Sequence, residues 1–250
     1  MKSNTDRIQE LKTNGYSLNF ETVFNLAFEN YKKIVIYAGL LLLVLSVFFG
    51  ITASLILAFS VGIENLQELA KPENLDPKNF SDEFLAYYLV GNTLFGCLIS
   101  PLFAGFIKMA HCAQIDEEFH VSTIFEYYRL SYFKELFLAT LFISIISLGI
   151  SSVLNLTGVA VLGIFGSITI SLLSMLTVPL IIFSYFKAIE AVNTSFSLIS
   201  KRPLVILGLF VVGYSLSIVG LLFFIVGLFF TLPLMFSIYY AIYSSIIGFK

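Results

Sequence analysis

Residues 136–186 read LFLATLFISIISLGISSVLNLTGVAVLGIFGSITISLLSMLTVPLIIFSYF, a run of 51 residues without Asp, Glu, Lys or Arg. A helix needs about 20 residues to cross the roughly 30 Å hydrocarbon layer of a membrane, so this run is long enough for two crossings. The cluster NLTG at residues 155–158 predicts the turn between them, because Asn favours turns and Gly adopts positive φ. The run therefore predicts a transmembrane hairpin.

Three further charge-free stretches have spanning length: Ile34–Ile63 with 30 residues, Phe84–Ile107 with 24 and Pro203–Phe249 with 47. The first two hold one crossing each, and the third holds a second hairpin that turns at Gly220 or Gly227. The whole chain is 58% hydrophobic and 12% charged, whereas soluble domains carry about 25% charged residues. The sequence therefore predicts an all-α polytopic membrane bundle of six transmembrane helices.

The basic residues predict the orientation of this bundle. With six crossings both termini lie on one side, and that side carries twelve of the 14 Lys and Arg residues, while Lys71 and Lys78 lie on the other. By the positive-inside rule, both termini are expected in the cytoplasm. The predicted domains are a flexible cytoplasmic tail, residues 1–18, and a membrane domain, residues 19–250, whose outer loop at residues 64–83 holds six acidic residues.

A short amphipathic helix is predicted before each hairpin. The first follows Asn19, a favourable N-cap, and repeats apolar residues at helical spacing over residues 20–31. The second has a capping-box pattern in Thr123 and Glu126, and the third covers residues 191–200. We expect three hairpin units, each preceded by a helix that lies in the membrane interface.

Each returning helix carries a Pro-Leu pair, at Pro101, Pro179 and Pro233. Proline removes a backbone donor and bends a helix, so these three positions are predicted kinks. Pro101 and Pro179 precede a lysine by seven and eight residues and therefore lie at a similar depth, whereas Pro233 does not. The carbonyl that Pro179 leaves unpaired, that of Met175, is expected to be covered by a neighbouring helix, a serine or a water.

Little in the sequence indicates catalysis. The crossings contain no charged side chain, and no phosphate-binding loop, nucleophile elbow or HExxH motif is present, so no catalytic residue, metal ligand or cofactor is predicted. His111 and His120 have no standard metal-site spacing, and a membrane enzyme would need them to meet an acid. Asn92, in the second crossing, indicates helix packing or a ligand contact. The net charge of -2 and the scattered basic residues argue against nucleic acid as a partner.

Six basic residues flank the predicted amphipathic helices and are the predicted lipid contacts. Each places positive charge at headgroup level, where attraction to anionic lipid is worth about 1 kcal/mol per Lys or Arg. The same charges also set topology, and both interpretations stay open. The six are Lys32, Lys33, Arg129, Lys134, Lys201 and Arg202.

The proline-bearing fourth crossing runs directly into AIEAVNTSFSLISKRP, residues 188–203. This arrangement resembles a group of uncharacterised six-helix bacterial inner-membrane proteins, the YciC-like and glycerophosphodiester-phosphodiesterase membrane-domain relatives. The resemblance implies the six-helix fold over residues 19–250 and a bacterial plasma-membrane location, and it implies no reaction. The residues that carry it are Pro179, Ala188, Ala191, Ser195, Leu198 and Lys201.

Two functional hypotheses follow. The first is a non-enzymatic plasma-membrane protein, an accessory or lipid-interacting component whose partners are membrane lipids and whose protein partners are unknown. The second is a transporter or exporter of a small apolar or lipid-like substrate, because repeated units with proline-interrupted helices also build substrate sites in transporters. A cavity bounded by Pro101, Pro179 and Asn92 would favour transport, and a tightly filled bundle would count against it.

Overall fold

The computed structural model describes residues 4–62, 71, 81–156 and 158–248. This part of the chain is helical and contains no strand. Its α-helices are α1 (Asn4–Asn14), α2 (Phe20–Val61), α3 (Asp82–Gln114), α4 (Leu130–Asn155), α5 (Ala160–Leu173), α6 (Thr177–Ser184), α7 (Ala188–Ile199), α8 (Pro203–Val219), α9 (Phe224–Thr231) and α10 (Pro233–Ile247). Two 3-10 helices join them, Val121–Tyr128 between α3 and α4 and Gly220–Phe223 between α8 and α9.

Five stretches of the described residues are helical, long and apolar enough to cross a membrane, and α10 is apolar but shorter. Large apolar side chains such as Val44 and Ile145 stay more than half exposed, as expected where lipid is the solvent. The prediction of an all-helical, multi-pass membrane protein is therefore confirmed. The predicted outer acidic loop lies outside the described residues, apart from residues 71 and 81–83. The five stretches are Phe20–Ile56, Glu83–Gln114, Leu130–Asn155, Val161–Ser184 and Pro203–Thr231.

The first predicted amphipathic helix is not a separate element. It forms the start of α2, a continuous helix of 42 residues that is about 63 Å long at 1.5 Å per residue. α2 begins after Asn19 as predicted, and the Asn19 side chain accepts a hydrogen bond from the Thr22 backbone N at 3.0 Å. The helix continues because no proline or glycine occurs in residues 20–38. Its length is about twice the hydrocarbon thickness of a membrane.

The second predicted amphipathic helix is the 3-10 helix Val121–Tyr128. Thr123 is not its N-cap, as the capping-box pattern predicted, but lies inside it and accepts a hydrogen bond at Oγ1 from the His120 backbone N at 3.1 Å. This helix packs on α3 at Gly105, where an added Cβ would collide with the Ile124 backbone. Gly105 thus allows the two backbones to touch.

The third predicted amphipathic helix is α7, which is largely buried. Seven of its 12 residues are buried, because α1, α4, α5 and α6 all pack against it. At its N-terminus, Glu135 Oε2 accepts a hydrogen bond from the Ala188 backbone N at 2.7 Å. The carboxylate of Glu135 therefore satisfies a free backbone donor and complements the positive end of the helix dipole.

The chain leaves regular α-helix at both predicted turn positions. Gly158 has a φ of +78°, and its backbone N donates to the Asn155 carbonyl at 3.0 Å. The 3-10 helix Gly220–Phe223 separates α8 from α9 and begins at the earlier of the two predicted positions. A Cβ at Gly220 would lie 2.6 Å from the Gly227 carbonyl oxygen. The two glycines therefore allow the 3-10 helix and α9 to approach closely.

The short helix α10 lies at the centre of the bundle. Thirteen of its 15 residues are buried, and it packs against α2, α3 and α8. Tyr240 and Ile238 are both fully buried within it. The last apolar segment of the sequence therefore forms core and not a lipid-facing surface.

Most of the tail predicted to be flexible is helical in the structure. It forms α1, in which Ile8 is only 1% exposed. Lys12 Nζ donates to Thr194 Oγ1 at 2.8 Å, and the Tyr16 hydroxyl donates to the Leu198 carbonyl at 2.8 Å. Burial raises the pKa of Tyr16 to about 12. α1 is polar in composition, so its stability comes from docking on α7, which composition alone does not reveal.

Candidate functional site

The three predicted kink prolines have different surroundings. Pro101 lies inside the continuous helix α3, and the carbonyl four residues earlier, of Cys97, accepts a hydrogen bond from Ser100 Oγ at 2.8 Å. Pro179 is the third residue of α6 and Pro233 is the first of α10. A backbone N–H in the first turn of a helix has no partner within that helix, so proline removes nothing there. The two later prolines therefore begin helices.

The chain leaves helical structure between α5 and α6, at residues 174–176. Ser195 of α7, which is fully buried, bridges this break. Its Oγ donates to the Leu173 carbonyl at 2.6 Å and accepts from the Leu176 backbone N at 3.1 Å. A serine was among the groups expected to hydrogen-bond the carbonyl that Pro179 leaves unpaired, that of Met175. The serine hydroxyl donates instead to the carbonyl of Leu173. Ser195 thus satisfies backbone groups that lipid could not.

A cavity of 490 Å³ lies beside the break, and we call it the central cavity. Side chains from α3 to α6 and from α8 to α10 line it, and its volume falls in the range of ligand sites. Its walls are mainly apolar, with hydroxyl groups as the polar component. Ser100 and Val178, the neighbours of Pro101 and Pro179, both line it. Its other lining residues include Phe103, Ile107, Ile143, Met175, Thr177, Tyr214, Ser217, Leu228, Met235 and Phe236.

Thr177, at the wall of the central cavity, carries a buried and unpaired hydroxyl group. The side chain is 1% exposed, and its Oγ1 has no hydrogen-bond partner. Ser217, on the same cavity, differs because its Oγ donates to the Gly213 carbonyl at 2.8 Å. An unsatisfied buried hydroxyl costs about 1–3 kcal/mol. The Thr177 hydroxyl therefore destabilises the fold at the cavity wall.

A second cavity of 390 Å³ adjoins the central cavity. The two share Ile143, Ser171 and Ser174 in their walls. Asn92, whose role the sequence left open, lines this second cavity and therefore faces a space that a ligand can occupy. A polar compartment thus lies next to an apolar one. Its other polar lining residues are Thr93, Ser144, Ser147 and Ser167.

A smaller pocket of 250 Å³ holds His111, and we call it the end pocket. His111 Nδ1 shares a hydrogen bond with the Tyr240 hydroxyl at 2.7 Å. Tyr127 also lines the pocket, and burial raises the pKa of its hydroxyl above the ordinary value. Among the described residues no three His, Cys, Asp or Glu side chains form a group that could hold a metal ion. The structure therefore does not join His111 and His120 with an acid in one metal site.

A groove of 820 Å³ lies between α1, α4 and α7, and we call it the basic groove. Three lysines line it, one from each side: Lys12 of α1, Lys134 of α4, and Lys187 just before α7. Apolar side chains of α4 continue the groove beyond the lysines. They are Leu138, Leu141, Phe142 and Ile145.

Of the six predicted lipid-contact cations, Lys134 alone lines the basic groove. Lys32 pairs with Glu29 at 2.7 Å. Lys33 pairs with Asp116 and also donates to the Ala113 carbonyl at 2.8 Å, at the end of α3. The others lie at helix ends: Arg129 is the N-cap of α4, Lys201 is exposed in the turn after α7, and Arg202 Nε donates to the Tyr16 carbonyl at 3.0 Å.

Two lysines of the basic groove were not predicted as site residues from the sequence. Lys12 was placed in a flexible tail, and Lys187 was used only for the orientation and for the depth of Pro179. The available signal was Ile8, four residues before Lys12 and so on the same face of a helix. Thr177 gave no signal, because a threonine in an apolar helix is ordinary.

No family model, curated protein or solved structure matches this chain. The cavities and the groove are therefore the observations from which its function is inferred.

Proposed function

We propose that this chain is a multi-pass protein of the bacterial plasma membrane, with both termini in the cytoplasm, that binds a lipid-like molecule without catalysing a reaction. Twelve of its 14 Lys and Arg residues fall on the predicted inner side, which supports the orientation. The YciC-like resemblance supports the location. In this proposal α9 and α10 together form the sixth crossing of a three-hairpin bundle, since residues 224–247 span about 36 Å as helix.

The central cavity carries the proposal about the ligand. Its apolar walls suit an acyl or similar hydrocarbon chain, because burying a methylene group is worth about 0.8 kcal/mol. The adjoining cavity at Asn92 supplies hydroxyl and amide groups for a polar part of the ligand. The combination favours an amphiphile with a single long chain.

A cavity-filling variant tests this proposal. Gly96 lines the central cavity, and an added Cβ there meets nothing within 4 Å. Gly96→Leu should therefore fill part of the cavity without a clash. If the leucine displaces about two ligand methylenes, the loss is ~1.6 kcal/mol, or more than tenfold in affinity. We would titrate the full chain in detergent with a fluorescent long-chain fatty acid.

Gly91→Leu is the matched control. It lies on the same helix, has the same open surroundings and does not line the cavity. We expect this variant to bind the fatty acid like the parent chain. Equal affinity for the parent, Gly96→Leu and Gly91→Leu would refute binding in the central cavity.

Transport of the same ligand is a second candidate function. It is favoured by the two interrupted helix pairs, α5 with α6 and α9 with α10, which both border the central cavity, since broken helices often form transporter substrate sites. Proteoliposomes loaded with the fluorescent fatty acid would separate the two functions. Flux that Gly96→Leu abolishes and Gly91→Leu keeps would establish transport, and binding without flux would leave an accessory role.

The orientation has its own test. Cys97 and Cys112 are free and buried, so a maleimide that cannot cross the membrane should react mainly with an introduced exposed cysteine. In intact cells we expect labelling of Lys71→Cys and not of Lys201→Cys. The reverse pattern would place the termini outside.

A further inference from the structure

The basic groove carries more positive charge than its own acids neutralise. Lys134 and Lys187 are exposed, and among the described residues no carboxylate oxygen lies within 4.0 Å of either Nζ. Two acids also line the groove. Glu135 accepts a hydrogen bond from the backbone N of Ala188 at 2.7 Å, and with Glu190 it leaves the three lysines with a net charge of +1. The groove is therefore suited to an anion.

Lys12 completes the rim of the groove and fixes its shape. Its Nζ donates to Thr194 Oγ1 at 2.8 Å, a contact that holds α1 against α7. One ammonium group is thus held in place by the fold while Lys134 and Lys187 stay free to reach a ligand. A partly preformed site loses less entropy on binding.

An apolar wall continues from the lysines along α4. Leu138, Phe142 and Ile145 follow Lys134 at four, eight and eleven residues, which places them on one helix face. They are 41%, 37% and 59% exposed. Eleven residues of helix correspond to about 16 Å. A cationic end followed by a long apolar wall matches a phosphate headgroup followed by an acyl chain.

We propose that the basic groove binds one anionic phospholipid, with its phosphate against Lys134 and Lys187 and an acyl chain along Leu138, Phe142 and Ile145. This inference deepens the lipid-binding part of the proposed function, and it does not depend on the central cavity. Variants of the basic groove leave Gly96 and Thr177 of the central cavity unchanged. The test of the groove and the test of the central cavity can therefore fail independently of each other.

A tryptophan reporter tests the site. The chain contains no Trp, so Phe142→Trp introduces a single fluorophore in the groove. The full chain in nanodiscs would be titrated with phosphatidylglycerol brominated on its acyl chains, which quenches nearby Trp, and in parallel with brominated phosphatidylcholine. Phe165→Trp on α5, where the native side chain is 61% exposed and lines none of the cavities described above, reports ordinary lipid contact. We expect phosphatidylglycerol to quench at lower concentration than phosphatidylcholine at residue 142 only.

Charge variants connect this preference to the lysines. Lys134→Gln with Lys187→Gln should weaken phosphatidylglycerol binding about 25-fold, since each lysine contributes about fivefold. The matched double variant Lys32→Gln with Lys201→Gln removes the same charge outside the groove and should change binding less than twofold. Lys134→Arg with Lys187→Arg keeps the charge and should keep the preference, which separates charge loss from misfolding.

Three results would overturn the proposal. Equal quenching of residue 142 by the two lipids would show that the groove does not recognise charge. An equal loss in the Lys32 and Lys201 variant would assign the effect to net charge. Loss of the preference on adding inorganic phosphate at millimolar concentration would identify a simple anion site and not a phospholipid site.

Discussion

Ser195→Ala should destabilise the protein through the break between α5 and α6. The substitution removes the hydroxyl that pairs both the Leu173 carbonyl and the Leu176 backbone N. Each buried backbone group left unpaired costs about 1–3 kcal/mol, so the two together give about 2–6 kcal/mol. The chain beside the break can relax, so we expect the lower half of this range. The measurement is the free energy of unfolding of the full chain in mixed micelles with increasing dodecyl sulfate.

Ser200→Ala, at the residue that follows the last residue of α7, provides the comparison. Its Oγ donates only to the local Phe196 carbonyl at 2.7 Å and is exposed, so its removal should change the free energy of unfolding by less than about 0.5 kcal/mol. If Ser195→Ala lost less than about 1 kcal/mol, or no more than Ser200→Ala, the break would not depend on this hydroxyl.

Three further predictions concern other positions. Thr177→Val should raise the unfolding free energy of the ligand-free chain by about 1–3 kcal/mol, because it removes an unpaired buried hydroxyl, and the same micelle titration would detect no gain if Thr177 had a partner. Gly220→Ala should lower it by about 1–3 kcal/mol through collision with Gly227, whereas Gly50→Ala, in open space, should raise it by about 0.5–1 kcal/mol. Stability should also fall as pH rises from about 10 to 12, because the folded state keeps the Tyr16 proton that the unfolded state releases; Tyr16→Phe should reduce that fall, and an unchanged pH profile would contradict it.

The membrane-spanning character of the chain could be predicted from charge alone. A stretch such as residues 136–186 has no Asp, Glu, Lys or Arg, and only lipid or a protein core tolerates so long a run without charge. The turn at Gly158 could also be predicted, since it depends on a local backbone preference. What could not be predicted was long-range packing. Residues 20–31 have the same pattern whether they form a separate helix or continue into α2, and the burial of α10 depends on three other helices.

The candidate sites were harder to predict from the sequence than the fold was. The prolines indicated where helices change, and their neighbours Ser100 and Val178 do line the central cavity. Ser195 was named only as one of the residues that carry the family resemblance. Its hydrogen bonds to backbone groups 19 and 22 residues away have no signature in a single sequence. Lys12 is separated from Lys134 by more than 100 residues, so only the docking of α1 reveals that they share a groove.

The central position of α10 has a consequence for how the protein is made. Helices α2 to α8 precede α10 in the sequence, so they are synthesised before the segment that fills the space between them. Until then the inner faces of α2, α3 and α8 are open to lipid or to other membrane proteins. At 15 residues α10 is about 22 Å long and a weak insertion signal by itself. Its entry into the bundle therefore follows the synthesis of the helices that it packs against, and a chain stalled before it would be a natural substrate for membrane quality control.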